Sequence, residues 1–297
     1  LAGDALVRGA VNVSIRLGIP ALIVSLTIVA IGTSAPELLV AISAILDDVS
    51  GIAVGNIVGS NTANVLLVLG VPALLFGLDI SGCDSRASYL QMIGATLIFV
   101  LFALFQPITW MQGFVSLGLF LAVMAYAIYK ARRHMQADTP IDLEIADPNM
   151  RWRWIILFLV LGLLGLPLGA HLLVESATVI ARAYDISETV IGLTLVAVGT
   201  SLPELATTVS AAYRRQGDVA IGNVLGSNIA NLLGIIGAAS LFGNIPVSRE
   251  VLAFDLWVMV GAALLLAPFV LWRAKLNRIW GLVLTGLYVI YIFSILA

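Results

Sequence analysis

Residues 29–40 read VAIGTSAPELLV. Apolar residues flank this stretch on both sides, yet it holds a glycine, two hydroxyls, a proline and Glu37. A charged side chain at the centre of a hydrocarbon layer costs about 3 kcal/mol or more. Proline removes a helical N–H and collides with the preceding turn. As a plain membrane span the segment is poorly built, so its composition calls for another explanation. Its reading decides the fold because it occurs twice. A shift of 167 residues carries LTIVAIGTSAPELLVAISA (26–44) onto LTLVAVGTSLPELATTVSA (193–211), and IAVGNIVGSNTANVLLVLG (52–70) onto VAIGNVLGSNIANLLGIIG (219–237). No gap separates the two blocks, and 22 of the 45 positions from 26 to 70 are identical. Apolar helices resemble one another by composition, but composition does not align GTSxPEL and GNxxGSNxAN together.

The rest of the chain fits a membrane protein. Of its 297 residues, 61% are hydrophobic and 11% charged, whereas a soluble domain is about half apolar and a quarter charged. Apolar runs of about 20 residues, enough to cross a bilayer core, predict ten transmembrane helices, near 1–17, 20–46, 52–77, 87–105, 109–130, 154–181, 188–212, 219–242, 250–272 and 279–297. The one long hydrophilic stretch, KARRHMQADTPIDLEIADPNMRWR (130–153), reads as a solvated linker. A net charge of −2 gives no reason to expect nucleic acid, and the single cysteine, Cys83, excludes an intrachain disulfide and a cysteine-based zinc site. No cleavable leader pattern opens the chain. Leu1 aligns with Leu168, whereas the sixth span begins near Trp154, so the first helix is expected to lack its outer part.

Basic residues mark the cytoplasmic side of a membrane protein. With ten spans, Arg182 and Arg249 fall on the face of the two termini and the other thirteen Lys and Arg on the opposite face. The linker is therefore expected in the cytoplasm and both termini outside. Five spans per half is an odd number, so the second half enters the membrane from the other side. The predicted fold is an all-α integral membrane protein of two inverted five-helix repeats, 1–130 and 154–297, joined by the linker 131–153. Inverted repeats are the architecture of secondary transporters, whose substrate sites lie near the midplane where the repeats meet.

Glu37 and Glu204 are the leading site candidates, because each lies near the middle of its predicted span with no Lys or Arg close in sequence. The missing positive charge is most simply a bound cation or a proton. Thr33, Ser34, Thr200 and Ser201 add hydroxyl oxygens. Pro36 and Pro203 disrupt the helix just upstream and are expected to free carbonyls near Ala30 and Ala197. The paired motif adds Ser60, Asn64, Ser227 and Asn231, each pair four residues apart and so on one helical face. This set is all oxygen, without sulfur or imidazole, and suits Ca²⁺ and Na⁺ rather than Zn²⁺ or copper. Two carboxylates match one Ca²⁺ in formal charge. Gly55/Gly59 and Gly222/Gly226 form GxxxG patterns and read as close helix packing. Asn56, Asn61, Asn223 and Asn228 read as bonds between helices. Asp4, Arg8, His171 and Glu175 occupy corresponding places in the first and sixth spans and read as interfacial rather than ligating. Asp47 and Asp48 fall at the outer mouth.

GTSxPE followed by GSNxxN, present twice in opposed orientation, resembles the alpha repeats of the sodium/calcium exchanger family, within the cation/calcium exchanger superfamily. The resemblance covers nearly the whole chain. It implies adjacent Na⁺ and Ca²⁺ sites formed by Thr33, Ser34, Glu37, Ser60, Asn64 and the Ala30 carbonyl, with Thr200, Ser201, Glu204, Ser227, Asn231 and the Ala197 carbonyl. Some relatives carry an aspartate at the place of Asn231; here the two halves match. The proton-coupled branch carries an acid in a GNxxE pattern, which GNIVG and GNVLG lack. The resemblance implies a prokaryotic inner-membrane antiporter that exchanges Na⁺ for Ca²⁺ by alternating access. It implies no enzymatic activity, no cofactor beyond the transported ions and no obligate protein partner. Exchange of H⁺ or another cation on the same scaffold is the main alternative, with a cation channel as a second. A lipid phosphatase would need a phosphate-holding arginine or histidine near GTSxPE, and none is there.

Overall fold

A computed structural model describes residues 1–46, 50–134, 150–183 and 197–296 of the chain. These residues form helices joined by short loops, with two isolated bridges between loops, Leu78 to Leu276 and Ile108 to Ile245. In lipid this is forced, because only helices or closed barrels satisfy every backbone polar group internally. In chain order the elements are α1 (Ala2–Leu17), α2 (Ala21–Thr33), α3 (Ala35–Leu46), α4 (Gly51–Phe76), α5 (Arg86–Leu104), α6 (Trp110–His134), α7 (Trp152–Ala183), α8 (Ala197–Thr200), α9 (Leu202–Tyr213), α10 (Gly217–Ala239), α11 (Val251–Leu271) and α12 (Arg278–Leu296).

Seven of these helices are long and apolar enough to cross a membrane, and the bent pair α2–α3 makes an eighth. The other two expected spans fall short for separate reasons. α1 has 16 residues, about 24 Å at 1.5 Å per residue, less than the ~30 Å of a hydrocarbon core. The span expected at 188–212 begins within 184–196, outside the described residues, and enters the description as α8 and α9. Most of the linker (135–149) and the pair Asp47 and Asp48 also lie outside the described residues.

Burial separates the helices into a centre and a rim. The most apolar window of α10 is 94% buried and that of α4 is 78%, against 22% or less for α6, α7 and α12. The centre is therefore built from the helices that carry GNxxGSNxAN. Gly222 shows why small residues stand there: a Cβ on it would lie 2.7 Å from the Leu22 carbonyl oxygen of α2. Gly226 sits equally hard against Leu26, and the Ser25 hydroxyl donates to the Val219 carbonyl at 2.6 Å. The backbones of α2 and α10 thus approach as closely as the GxxxG reading requires at Gly222/Gly226, whereas a Cβ on Gly55 or Gly59 would meet nothing within 4 Å among the described residues, so the close packing expected of that pair is not seen. On the rim, α1 lies along α7, where a Cβ on Gly162 would meet Leu6 at 2.5 Å.

Polar contacts gather the helix ends. Arg16 donates to the Met150 carbonyl at 2.9 Å, Arg86 to the Leu271 carbonyl at 2.7 Å, and Lys130 pairs with Asp84 at 2.6 Å. Asp4 pairs with Arg8 at 3.2 Å and with Arg214. Asp4 and Arg8 are thus paired within the protein while both side chains stay partly exposed. The side chains of His171 and Glu175 lie outside the described residues.

Candidate cation-binding site

The site begins at a broken helix. α2 ends at Thr33, Ser34 takes φ −85° and ψ 9°, and α3 restarts at Ala35 with its axis turned by 41°. The second copy does the same: α8 ends at Thr200, Ser201 takes φ −87° and ψ 3°, and α9 restarts at Leu202. Both serines sit in the sparsely populated region between helix and strand. Pro36 and Pro203 fall in the first turn of the restarted helix, where that helix itself has no use for the missing N–H. The break also moves the expected loose carbonyl. Pro36 leaves its i−4 partner, Gly32, without a donor, whereas the Ala30 carbonyl accepts the Ser34 N–H at 3.0 Å and the Thr33 hydroxyl at 3.3 Å. Ala197 opens α8.

Glu37 and Glu204 are the third residues of α3 and α9, and both are fully buried. A helix N-terminus carries partial positive charge, which favours a carboxylate there. The serine three residues before each glutamate matches a capping box in sequence. Ser201, however, makes no side-chain cap, and the Ser34 hydroxyl reaches across the site instead, donating to Glu204 Oε1 at 3.0 Å. Ser227 of α10 donates to the same oxygen at 3.4 Å.

Three more bonds tie the halves together. Thr33 donates to Asn223 Oδ1 at 3.3 Å, Thr200 to Asn56 Oδ1 at 3.2 Å, and Asn64 Nδ2 to Asn228 Oδ1 at 3.0 Å. The first two are related by the same 167-residue shift as the sequence motifs. Asn64 and Asn231 both lie in π-helical turns, Asn64–Val68 and Ala230–Ile235. A π-turn widens the helix by one residue and often marks a functional position.

What remains unbonded matters most. Buried polar atoms nearly always have partners, and leaving one without costs about 1–3 kcal/mol. Here Glu37 Oε1 and Oε2, Glu204 Oε2, Ser60 Oγ, Asn64 Oδ1, Ser201 Oγ and both amide atoms of Asn231 are buried without a hydrogen-bond partner. These atoms belong to residues singled out from the sequence motifs. Among the described residues, neither glutamate takes part in an ion pair. Nor do three His, Cys, Asp or Glu side chains come together. A bound ion would therefore be held by two carboxylates and neutral oxygens.

The sequence reads Asn56, Asn61, Asn223 and Asn228 as interhelical bonds without saying to what; Asn61 departs from this, its amide donating to the Ile57 carbonyl of its own helix at 2.7 Å, while the other three do cross between helices. Two of them bond the threonines and one bonds Asn64. The signal available was the repetition of GN and GSN in both copies.

A bundle of apolar helices long enough to cross a bilayer, enclosing two buried acids and a set of unpartnered oxygens, defines a multi-pass integral membrane protein. The chain belongs to the sodium/calcium exchanger family: the family model described as sodium/calcium exchanger protein matches residues 1–129 and 154–297. The family is one of membrane transporters, not enzymes. The chain is 36% identical to the putative antiporter CaxA of Alkalimonas amylolytica over 280 residues, covering 93% of this chain and 87% of that one. It is 34% identical to the sodium/calcium exchanger MaX1 of Methanosarcina acetivorans, covering 97% and 93%. A solved structure of the sodium-calcium exchanger NCX_Mj, soaked with Na⁺ and Sr²⁺, superposes with a TM-score of 0.84 at 32% identity, covering 98% of this chain and 92% of that one.

Proposed function

We propose that the chain is a secondary antiporter exchanging Na⁺ for Ca²⁺ by alternating access, with Glu37 and Glu204 at the centre of a shared site. The carrying observation is that buried oxygens of both acids and of motif residues from both halves of the chain have no hydrogen-bond partner. Ligands come from Thr33, Ser34, Ser60, Asn64, Thr200, Ser201, Ser227 and Asn231, with the Ala30 and Ala197 carbonyls beside them. Hard cations favour such oxygen sets. Ca²⁺ cancels both carboxylate charges at once, and several Na⁺ do so together. Competition for overlapping oxygens makes the two ions alternate, and a site holding two uncompensated charges resists moving, which couples the fluxes.

The site lies near the midplane of a ten-span protein of two inverted repeats in a prokaryotic inner membrane, with the linker cytoplasmic and both termini outside. The matched helix breaks at Ser34 and Ser201 and the matched Thr–Asn bonds favour this two-fold plan. The contacts that join Arg16, Arg86 and Lys130 to neighbouring loops favour one basic face. The bonds across the site hold α2–α3, α4, α8–α9 and α10 as one body, against which α1 and α7, packed along each other, slide as the gate.

Ca²⁺ flux in proteoliposomes tests the reading. Uptake should require an outward Na⁺ gradient, cease when Na⁺ is equal on both sides, and fall to background in Glu37→Gln and Glu204→Gln. Uptake without counter-ion would mean a channel. Uptake driven by a proton gradient in Na⁺-free buffer would mean proton coupling.

A further inference from the structure

We propose that Asn56 and Asn223 are positioning residues for the cation site: each takes the hydroxyl proton of the threonine opposite, so that Thr200 and Thr33 offer only lone pairs to the ion. This assignment rests on the antiport reading and on those threonines being ligands within it.

The geometry recurs. Thr33, at the end of α2, bonds Asn223 of α10 at 3.3 Å; Thr200, at the end of α8, bonds Asn56 of α4 at 3.2 Å. Each bond crosses from one half of the chain to the other. The orientation of the Asn223 amide is fixed independently. Its Nδ2 donates to the Glu204 carbonyl at 3.3 Å and to Thr208 Oγ1 at 3.1 Å. A carbonyl can only accept, so the amide nitrogen must face it, and Oδ1 is left for Thr33. On Asn56 the Nδ2 is buried without a partner. That residue carries an unmet donor at some cost, and its described side-chain bond is the one it accepts.

A threonine hydroxyl has one proton and two lone pairs. Thr33 has one other acceptor for its hydrogen, the Ala30 carbonyl at 3.3 Å. A hydroxyl turned to that carbonyl, itself among the proposed ligands, would occupy a lone pair meant for the ion. Asn223 draws the hydrogen off to the far side. Partners outside the coordination shell orient and strengthen ligands in this way. The two carboxylates dominate the hold on Ca²⁺. Na⁺, with half the charge, depends more on neutral oxygens, so the asparagines bear chiefly on Na⁺.

Two double-mutant cycles test this: Asn223→Ala with Thr33→Val, and Asn56→Ala with Thr200→Val. Half-saturating Na⁺ and Ca²⁺ for exchange are measured in proteoliposomes. Each asparagine variant should raise half-saturating Na⁺ roughly tenfold and shift half-saturating Ca²⁺ much less. Each double variant should be no worse than its threonine variant alone, because the asparagine acts through that hydroxyl. Additive effects, or equal shifts for both ions, overturn the assignment and indicate ordinary packing. If one variant fails to fold, the cycle in the other half is a complete test by itself. A wild-type protein without Na⁺-coupled Ca²⁺ flux would overturn the antiport reading, whereas additive cycles in an active protein overturn only the role given to Asn56 and Asn223.

Discussion

Glu37 and Glu204 occupy equivalent places in sequence but not in bonding. Glu204 Oε1 accepts from Ser34 and Ser227, while Glu37 and its counterpart serines, Ser60 and Ser201, are all unpartnered. The two serines ahead of the glutamates should therefore respond differently to truncation. In cation-free buffer, Ser34→Ala loses a hydrogen bond to a charged group and should lower stability by about 2 kcal/mol, with Ser201→Ala close to neutral; thermal unfolding measures both. The glutamates were legible because a buried acid has no bland explanation when it recurs at a matched position. The asparagines were only half legible. Their type and repetition told that they bond, but the partner depends on which helices meet, and spacing along one helix carries no such information.

The element that organises the site is the helix interrupted one residue before the x-Pro-Glu step. Sequence placed the interruption correctly, since proline cannot continue a helical ladder, but put the loose carbonyl near Ala30 when the missing donor belongs to Gly32. The π-turns at Asn64–Val68 and Ala230–Ile235 had no sequence signature, because a widened turn in an all-apolar run leaves hydrophobic periodicity unchanged. The GxxxG at Gly222/Gly226 was legible as close packing, but its partner, the turn of α2 around Leu22 and Leu26, was not, and the same pattern at Gly55/Gly59 meets no such neighbour among the described residues. That contact makes a prediction. A methyl group on Gly226 would collide with the Leu26 backbone and Ala30, so Gly226→Ala should cost about 1–3 kcal/mol in thermal unfolding. Gly118 of α6 has open space around its Cβ position, and Gly118→Ala should be neutral or gain up to about 1 kcal/mol from helix propensity.

At the scale of the whole molecule, hydropathy and loop charge located the helices within a few residues but not their arrangement. Apolar spans have no strong polar face to show which side meets protein and which meets lipid. That α4 and α10 lie at the centre emerges from packing. Cys83 provides a natural reporter of orientation. It lies half-buried in the loop between α4 and α5, on the side proposed to be cytoplasmic. A membrane-impermeant maleimide should label it in inside-out vesicles and spare it in right-side-out ones. Burial first, then the neighbouring Asp218, pushes its thiol above the usual range. Because the thiolate is the reactive form, labelling should be slow at neutral pH and quicken as pH rises. Labelling from outside would invert the proposed topology.

The central claim is that Glu37 and Glu204, from opposite halves of the chain, hold one cation between them. Equilibrium Ca²⁺ binding to the purified protein, compared among wild type, Glu37→Gln, Glu204→Gln and the double variant, tests it most directly. If the acids share the ion, each single variant should lose nearly as much affinity as the double one. Wild-type binding retained in either single variant, or losses that simply add, would show two independent sites and contradict the account.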